Sequence, residues 1–227
     1  MRKSSSICIK RTLFKLIYII IILILIGINK SIAQQKTKRQ FDIPTFEKNK
    51  NDKDIYKYTL LDGYTYEESS DLSDNNYIRI KFKDRENFKH FFRYFPNGKL
   101  KIQGSYYENK FNSGLWNHYN IKGELIKQID YDAPFTYSWK DITAYLAKHG
   151  VKDLKKQVIG VSRWHHQEKA TWTLEFNGIY NNTKGRFVIT LSGKTGEVLE
   201  VKLFKGKKAL GKTGTIADYQ ILYKKDA

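Results

Sequence analysis

A 25-residue internal repeat constrains this chain more than any other feature. Shifting the sequence by 25 positions lays Phe91 on Trp116, Tyr94 on Tyr119, Gly98 on Gly123, Leu100 on Leu125, Gln103 on Gln128 and Tyr106 on Tyr131. Each copy reads aromatic-x-x-Tyr, a short turn ending in Gly, then a stretch that carries Leu and ends at Tyr. That is the pattern of a β-hairpin. Asn97-Gly98 is a tight-turn dipeptide because both residues tolerate positive φ. Lys122-Gly123 keeps only the glycine. One hairpin cannot bury its apolar face alone. The two copies and the alternating segment Tyr77–Lys83 therefore predict a continuous antiparallel sheet.

Tyr94-Phe95-Pro96-Asn97-Gly98-Lys99-Leu100 and Asn112-Ser113-Gly114-Leu115-Trp116 resemble the MORN-type repeat in its bacterial second variant. The resemblance covers about residues 91–132. The second copy departs from the pattern, with Asn120-Ile121-Lys122 in place of Pro-Asn before the glycine. The resemblance implies a binding or scaffolding unit and no catalytic residue.

Ala133 to Tyr137 breaks the strand pattern. Ser138 and Asp141 then have capping-box spacing, and Trp139, Ile142, Tyr145, Leu146 and His149 share one face at helical spacing. Gly150 sits where a helix C′ residue belongs. One helix is predicted over about 139–149. Apolar-rich stretches come next at Val158–Trp164, Thr171–Tyr180, Arg186–Leu191, Val198–Phe204 and Ile216–Tyr223, separated by Asn- and Gly-rich turns. They predict an antiparallel meander. Trp172–Phe176, Gly185–Leu191 and Lys194–Leu199 together resemble a PepSY-type domain over about 139–204, with Ser192 replacing the usual Asp before Thr195-Gly196-Glu197. That resemblance implies an exported or membrane-proximal module that binds or inhibits.

The fold class expected is α+β: antiparallel hairpin repeats over 55–133, then one helix and a meander over 134–227. Residues 34–54 are polar and charged and read as a flexible leader. Tyr56–Tyr66 alternates aromatic and polar residues as a first strand would. Glu67–Asn76 reads as a solvated turn, since its acidic residues do not fit a calcium loop.

Residues 1–33 have the layout of a secretory signal peptide. Arg2, Lys3, Lys10, Arg11 and Lys15 precede the thirteen-residue run Leu16–Ile28, and Ser31 and Ala33 supply a small-x-small cleavage site. An uncleaved anchor is the rival reading, but a spanning helix needs about 20 apolar residues. The one Cys, Cys8, lies upstream of the run, so the expected product is exported to the periplasm or beyond, without lipidation. The whole chain carries a formal charge of +18. Removing residues 1–33 takes six basic residues and no acidic one, leaving 35 against 23, or +12. The lysines alternate with Asp and Glu rather than forming a block, which argues against nucleic acid as the partner.

Gly206-Lys207-Lys208-Ala209-Leu210-Gly211-Lys212-Thr213 satisfies G-x-x-x-x-G-K-[ST]. The fourteen residues after Thr213 are too few for the helix and parallel sheet that such a loop serves, so a turn between antiparallel strands is expected. His165-His166 would point to opposite faces of a strand, and no metal-binding spacing of His is present. No catalytic residue, metal site or cofactor is expected. Phe92, Phe95, Tyr107, Trp116 and Tyr119 are the candidate partner-binding residues, taken from an aromatic set of which about half is expected to be core. The function expected is binding or inhibition of another protein, such as a toxin, a protease or an envelope protein. The alternatives are a glycan-binding wall module using an aromatic sheet face, and a nucleotide-dependent enzyme.

Overall fold

The computed structural model describes residues 39–71, 74–84, 86–108, 110–211 and 214–226. Residues 1–33, expected to be a signal peptide, lie outside the described residues, as do Cys8 within them, Lys212 and Thr213. The fold is mostly antiparallel β-sheet with a few short helices. A seven-stranded sheet in the order β1-β2-β3-β4-β5-β6-β7 uses Ile55–Thr59, Thr65–Asp71, Asn76–Phe82, Phe88–Tyr94, Leu100–Tyr107, Phe111–Tyr119 and Leu125–Asp130. A five-stranded sheet in the order β12-β11-β10-β9-β8 uses Val158–His166 (β8), Lys169–Tyr180 (β9), Thr183–Ser192 (β10), Val198–Leu210 (β11) and Gly214–Lys224 (β12). The helices are α1 (Ile43–Asn49), α2 (Trp139–Lys148) and α3 (Leu154–Gln157). Among the described residues no helix is long and apolar enough to cross a membrane.

The sheets divide where the sequence pattern changes, near residue 133, but the compact units do not. One unit takes residues 39–81, 91–103 and 118–126; the other takes 82–90, 104–117 and 127–226. Strands β3 to β7 thus contribute residues to both.

The two repeat copies make the same turn. Phe95 N–H donates to the Lys99 carbonyl at 2.8 Å, and 25 residues on Asn120 N–H donates to the Glu124 carbonyl at 3.0 Å. Gly98 N–H donates to Phe95 O and Gly123 N–H to Asn120 O, and both glycines are left-handed at φ 78° and 90°. Asn97 keeps a negative φ. Its carboxamide oxygen instead accepts from Lys99 N–H at 3.1 Å. The glycine alone therefore carries the positive φ, as in a type I turn closed by a left-handed residue.

In the first unit, Phe41, Phe46, Phe92, Tyr94 and Leu100 form the core, with Ile43, Tyr56, Tyr77 and Tyr119 against it. The expected flexible leader differs here. Asp42 caps α1 by accepting from Thr45 N–H at 3.1 Å, and Phe46 is fully buried. Phe41 stacks on Tyr77 with ring centres 4.6 Å apart. The polar composition of 34–54 conceals three apolar anchors, Phe41, Ile43 and Phe46, which are enough to dock a two-turn helix.

In the second unit, Ser138 and Asp141 form the reciprocal capping box at the start of α2. At its end Gly150 takes φ 81°. Gly150 N–H donates to Ala147 O and Val151 N–H to Leu146 O, a Schellman closure. Ile142 and Leu146 are fully buried in the same core as β9 and β10. Phe187 faces Phe176, Ile189 faces Leu174 and Leu191 faces Trp172 across the two strands, so period two puts six large side chains on one face. Ser192, where the resemblance expects Asp, accepts from Lys194 N–H and Thr195 N–H and so shapes the turn before Glu197.

β11 pairs with β10 over Val198–Leu203 and with β12 over Glu200–Leu210. The Gly206–Leu210 part of the phosphate-loop-like motif is therefore antiparallel strand, hydrogen-bonded to Gly214–Asp218. The next element is β12, not a helix whose N-terminus could hold phosphate. β12 forms the outer edge of the sheet, with Gln220–Tyr223 exposed.

Candidate functional site

The first unit contains a cleft built by period-two alternation. Tyr56 and Tyr58 of β1, Tyr66 and Glu68 of β2, Arg79 and Lys81 of β3, and Phe92 and Tyr94 of β4 all line it. Asp42 and Thr45 at the start of α1 and Leu60 in the β1–β2 turn complete the wall. The cavity measures about 400 Å³, within the range of sites that hold a small ligand or an anchoring side chain. Tyr58 and Tyr66 are directly opposite on β1 and β2, and their rings stack at 5.3 Å and 6°. Tyr56 lies against Tyr58 at 4.8 Å. Three tyrosine rings thus form one wall.

The floor is charged and fully engaged. Glu68 and Arg79 are buried at 2% and 7% exposure. Arg79 Nε donates to Glu68 Oε1 at 2.6 Å and its Nη1 to Tyr94 Oη at 3.1 Å, while Tyr58 Oη donates to Glu68 Oε1 at 3.1 Å. The Arg79 guanidinium also lies 5.3 Å from the Tyr94 ring centre and 5.4 Å from that of Phe41. Lys81 Nζ sits 3.7 Å from the Tyr64 ring centre. The cleft's own cations already occupy these aromatic faces, and its lining charges, two of each sign, cancel. It offers a ligand an aromatic wall beside a neutralised, hydrogen-bonded floor.

Burial pushes the Tyr58 phenol well above its ordinary value, with the Glu68 carboxylate adding to the effect. Burial also raises Tyr66, and pushes Tyr94 up to about 12. A phenol with a raised pKa keeps its proton longer in the folded state, so its contribution is present below the unfolded value near pH 10 and lost above it. We expect stability to fall between pH 10 and about 12, with Tyr94 alone accounting for on the order of 2 kcal/mol. Urea unfolding at stepped alkaline pH measures this. A Tyr94→Phe variant should lose part of that dependence.

The five residues singled out from sequence do not form one site. Phe92 is 8% exposed and lines the cleft from within the core. Phe95 is half-buried at its turn, with Lys101 Nζ 5.4 Å from its ring centre. Tyr107 is 3% exposed and stacks on Phe111 at 5.3 Å and against Trp139 at 4.7 Å, so it is a core residue. Trp116 is half-buried, its indole lying over Gly104 where a Cβ would come within 2.2 Å, and its Nε1 donates to Ser105 O at 3.0 Å. Tyr119 packs against the first core and accepts from Gln103 Nε2 at 3.0 Å.

No protein-family model, curated protein or solved structure matches this chain.

The cleft residues missed by sequence reasoning carried a readable signal. Tyr56-x-Tyr58, Tyr64-x-Tyr66 and Arg79-x-Lys81 each alternate with period two. Pairing was not readable, because the polar stretch Glu67–Asp71 continues β2 instead of forming a loop. Glu68 reads as a solvated acid until Arg79 is set opposite it. Among the described residues no group of three or more His, Cys, Asp or Glu could hold a metal ion. His165 and His166 lie at the exposed end of the β8–β9 hairpin.

Proposed function

We propose that this chain is an exported, non-enzymatic binding protein of the bacterial envelope, and that the tyrosine-lined cleft holds an anchoring segment of another protein. The observation that carries this reading is the cleft itself: stacked tyrosine walls of about 400 Å³ over a buried, neutralised floor. Tyrosine-rich pockets next to desolvated charge pairs are the usual hot spots of protein recognition. The MORN-like hairpins and PepSY-like second half support the same class, since both resemblances imply binding units. A toxin, a protease or an envelope protein is the partner class, and an immunity or inhibitor role accords with it. The segment 1–33 supports export.

A glycan ligand is the second reading, favoured by one observation. Four tyrosines, Tyr56, Tyr58, Tyr66 and Tyr94, line the cleft, and a sugar ring can pack against such an aromatic wall.

The test uses Tyr56→Ala together with Tyr66→Ala, which leaves the Glu68–Arg79–Tyr94 network intact. One stoichiometric polypeptide should co-purify with the wild-type protein from its own envelope, and the double variant should bind that purified polypeptide at least about tenfold more weakly. Retention on peptidoglycan alone, lost in the same variant, would replace the protein ligand with a glycan. Export is tested by the N-terminus of the cell product, which should begin near Gln34. Intact Met1 in the membrane fraction would make the segment an anchor.

A further inference from the structure

The two repeat turns line a second pocket, distinct from the tyrosine cleft. Its walls are Arg39, Gln40, Lys99, Leu100, Tyr119, Lys122 and Gly123, enclosing about 260 Å³. Lys99 comes directly after the first repeat turn, and Lys122-Gly123 stands in the second at the position of Asn97-Gly98. The segment before α1 is fastened to the first turn. Gln40 bridges to Lys99 as an isolated β pair, Phe41 N–H donates to Gly98 O at 2.8 Å, and Gln40 Nε2 donates to Asn97 O at 3.1 Å. Gly98 is required for this approach, because a Cβ there would come within 2.9 Å of the Phe41 carbonyl oxygen and φ is 78°.

The charged groups of this pocket are all of one sign. Arg39, Lys99 and Lys122 line it, no carboxylate does, and among the described residues none of the three cations has a carboxylate within ion-pairing distance. The nearest acid in sequence, Glu124, is engaged by Asn120 Nδ2 at 2.6 Å. Some lysines elsewhere are tied to acids, as in Lys50–Glu47 and Lys225–Glu197. Tyr119 adds a directed donor. Its oxygen accepts from Gln103 Nε2, so its own hydrogen is left to point elsewhere.

We propose that this pocket binds an oxyanion of the phosphoryl class, held by Arg39, Lys99 and Lys122 with Tyr119 donating a hydrogen bond. Three cations around one small cavity repel one another when it is empty, and a tetrahedral anion with several acceptor oxygens relieves that repulsion while accepting from each. A phosphate or phosphomonoester fits the volume. A phospholipid headgroup shares the chemistry, with its chains outside the pocket. Because the site is exposed, its affinity falls with ionic strength.

The test titrates the purified protein with inorganic phosphate by calorimetry at low salt. Saturable binding is expected, weakened at least about tenfold in Lys99→Ala/Lys122→Ala. Both lysines are exposed, so the variant should fold, and an unchanged circular dichroism spectrum checks that it does. Tyr119→Phe should give a smaller loss. Vesicles of phosphatidylglycerol, compared with phosphatidylcholine, separate the sources. Selective retention that disappears in the lysine variant assigns a lipid headgroup, and phosphate binding without retention assigns a soluble phosphoryl group. Absence of saturable phosphate binding, or equal affinity in the folded lysine variant, would overturn the proposal. Neither result bears on the tyrosine cleft.

Discussion

Arg79→Ala is expected to destabilise the protein by about 3–5 kcal/mol, because it strands a buried carboxylate. Glu68 is 2% exposed and accepts from Arg79 Nε at 2.6 Å, and without Arg79 it keeps the Tyr58 hydroxyl as a donor. The loss is mainly the cost of the orphaned charge, not the worth of the pair. The control rests on the same reasoning. Replacing both partners, Glu68→Leu with Arg79→Met, should cost clearly less than the single change. Urea unfolding of the two variants decides the matter. If the double variant is no better than Arg79→Ala, the pair is not where the energy lies. A single-variant loss below about 1 kcal/mol would mean that water enters from the cleft and solvates Glu68.

Trp172→Ala should be comparably severe, at about 3–5 kcal/mol, for a different reason. Trp172 is 1% exposed in the second core. Its ring centre lies 5.3 Å from Phe111, 5.3 Å from Phe135 and 6.3 Å from Trp139, and its Nε1 donates to the Tyr137 carbonyl at 2.9 Å. Alanine leaves a cavity among these aromatic neighbours and an unpaired carbonyl. Trp172→Phe keeps most of the packing and loses only the hydrogen bond, so it should retain more than half of that stability. Equal losses in the two variants would show that the Tyr137 bond, not the ring volume, holds this region.

Local patterns were readable in the sequence because each carries its own chemistry. The repeat produced two turns with the same hydrogen bonds at Phe95–Lys99 and Asn120–Glu124. The Ser138–Asp141 box started α2 and Gly150 ended it. The side of each strand that would be covered was not readable. Period two places Phe92 with Tyr94 and Tyr56 with Tyr58, but says nothing of the segment that covers one pair and leaves the other open. In the first unit the pieces hidden in the polar leader, Phe41 and Phe46, pack with Phe92 and Tyr94. Tyr107 illustrates the same limit: its aromatic character fits a binding face, and its neighbours Phe111 and Trp139 make it core.

The outer edge of the five-stranded sheet bears on solubility. In β12 the exposed run Gln220–Tyr223 carries no charge and is rich in residues that favour strands. Such an edge is a template for adding strands from other molecules. Asp218 precedes the run and Lys224 and Lys225 come after it, placing charge at both ends in the manner of aggregation gatekeepers. Asp218 pairs with Lys208 at 3.2 Å and Lys225 with Glu197 at 2.6 Å. Removing those few charges is expected to favour strand addition along this edge, a tendency that the net positive charge opposes less locally.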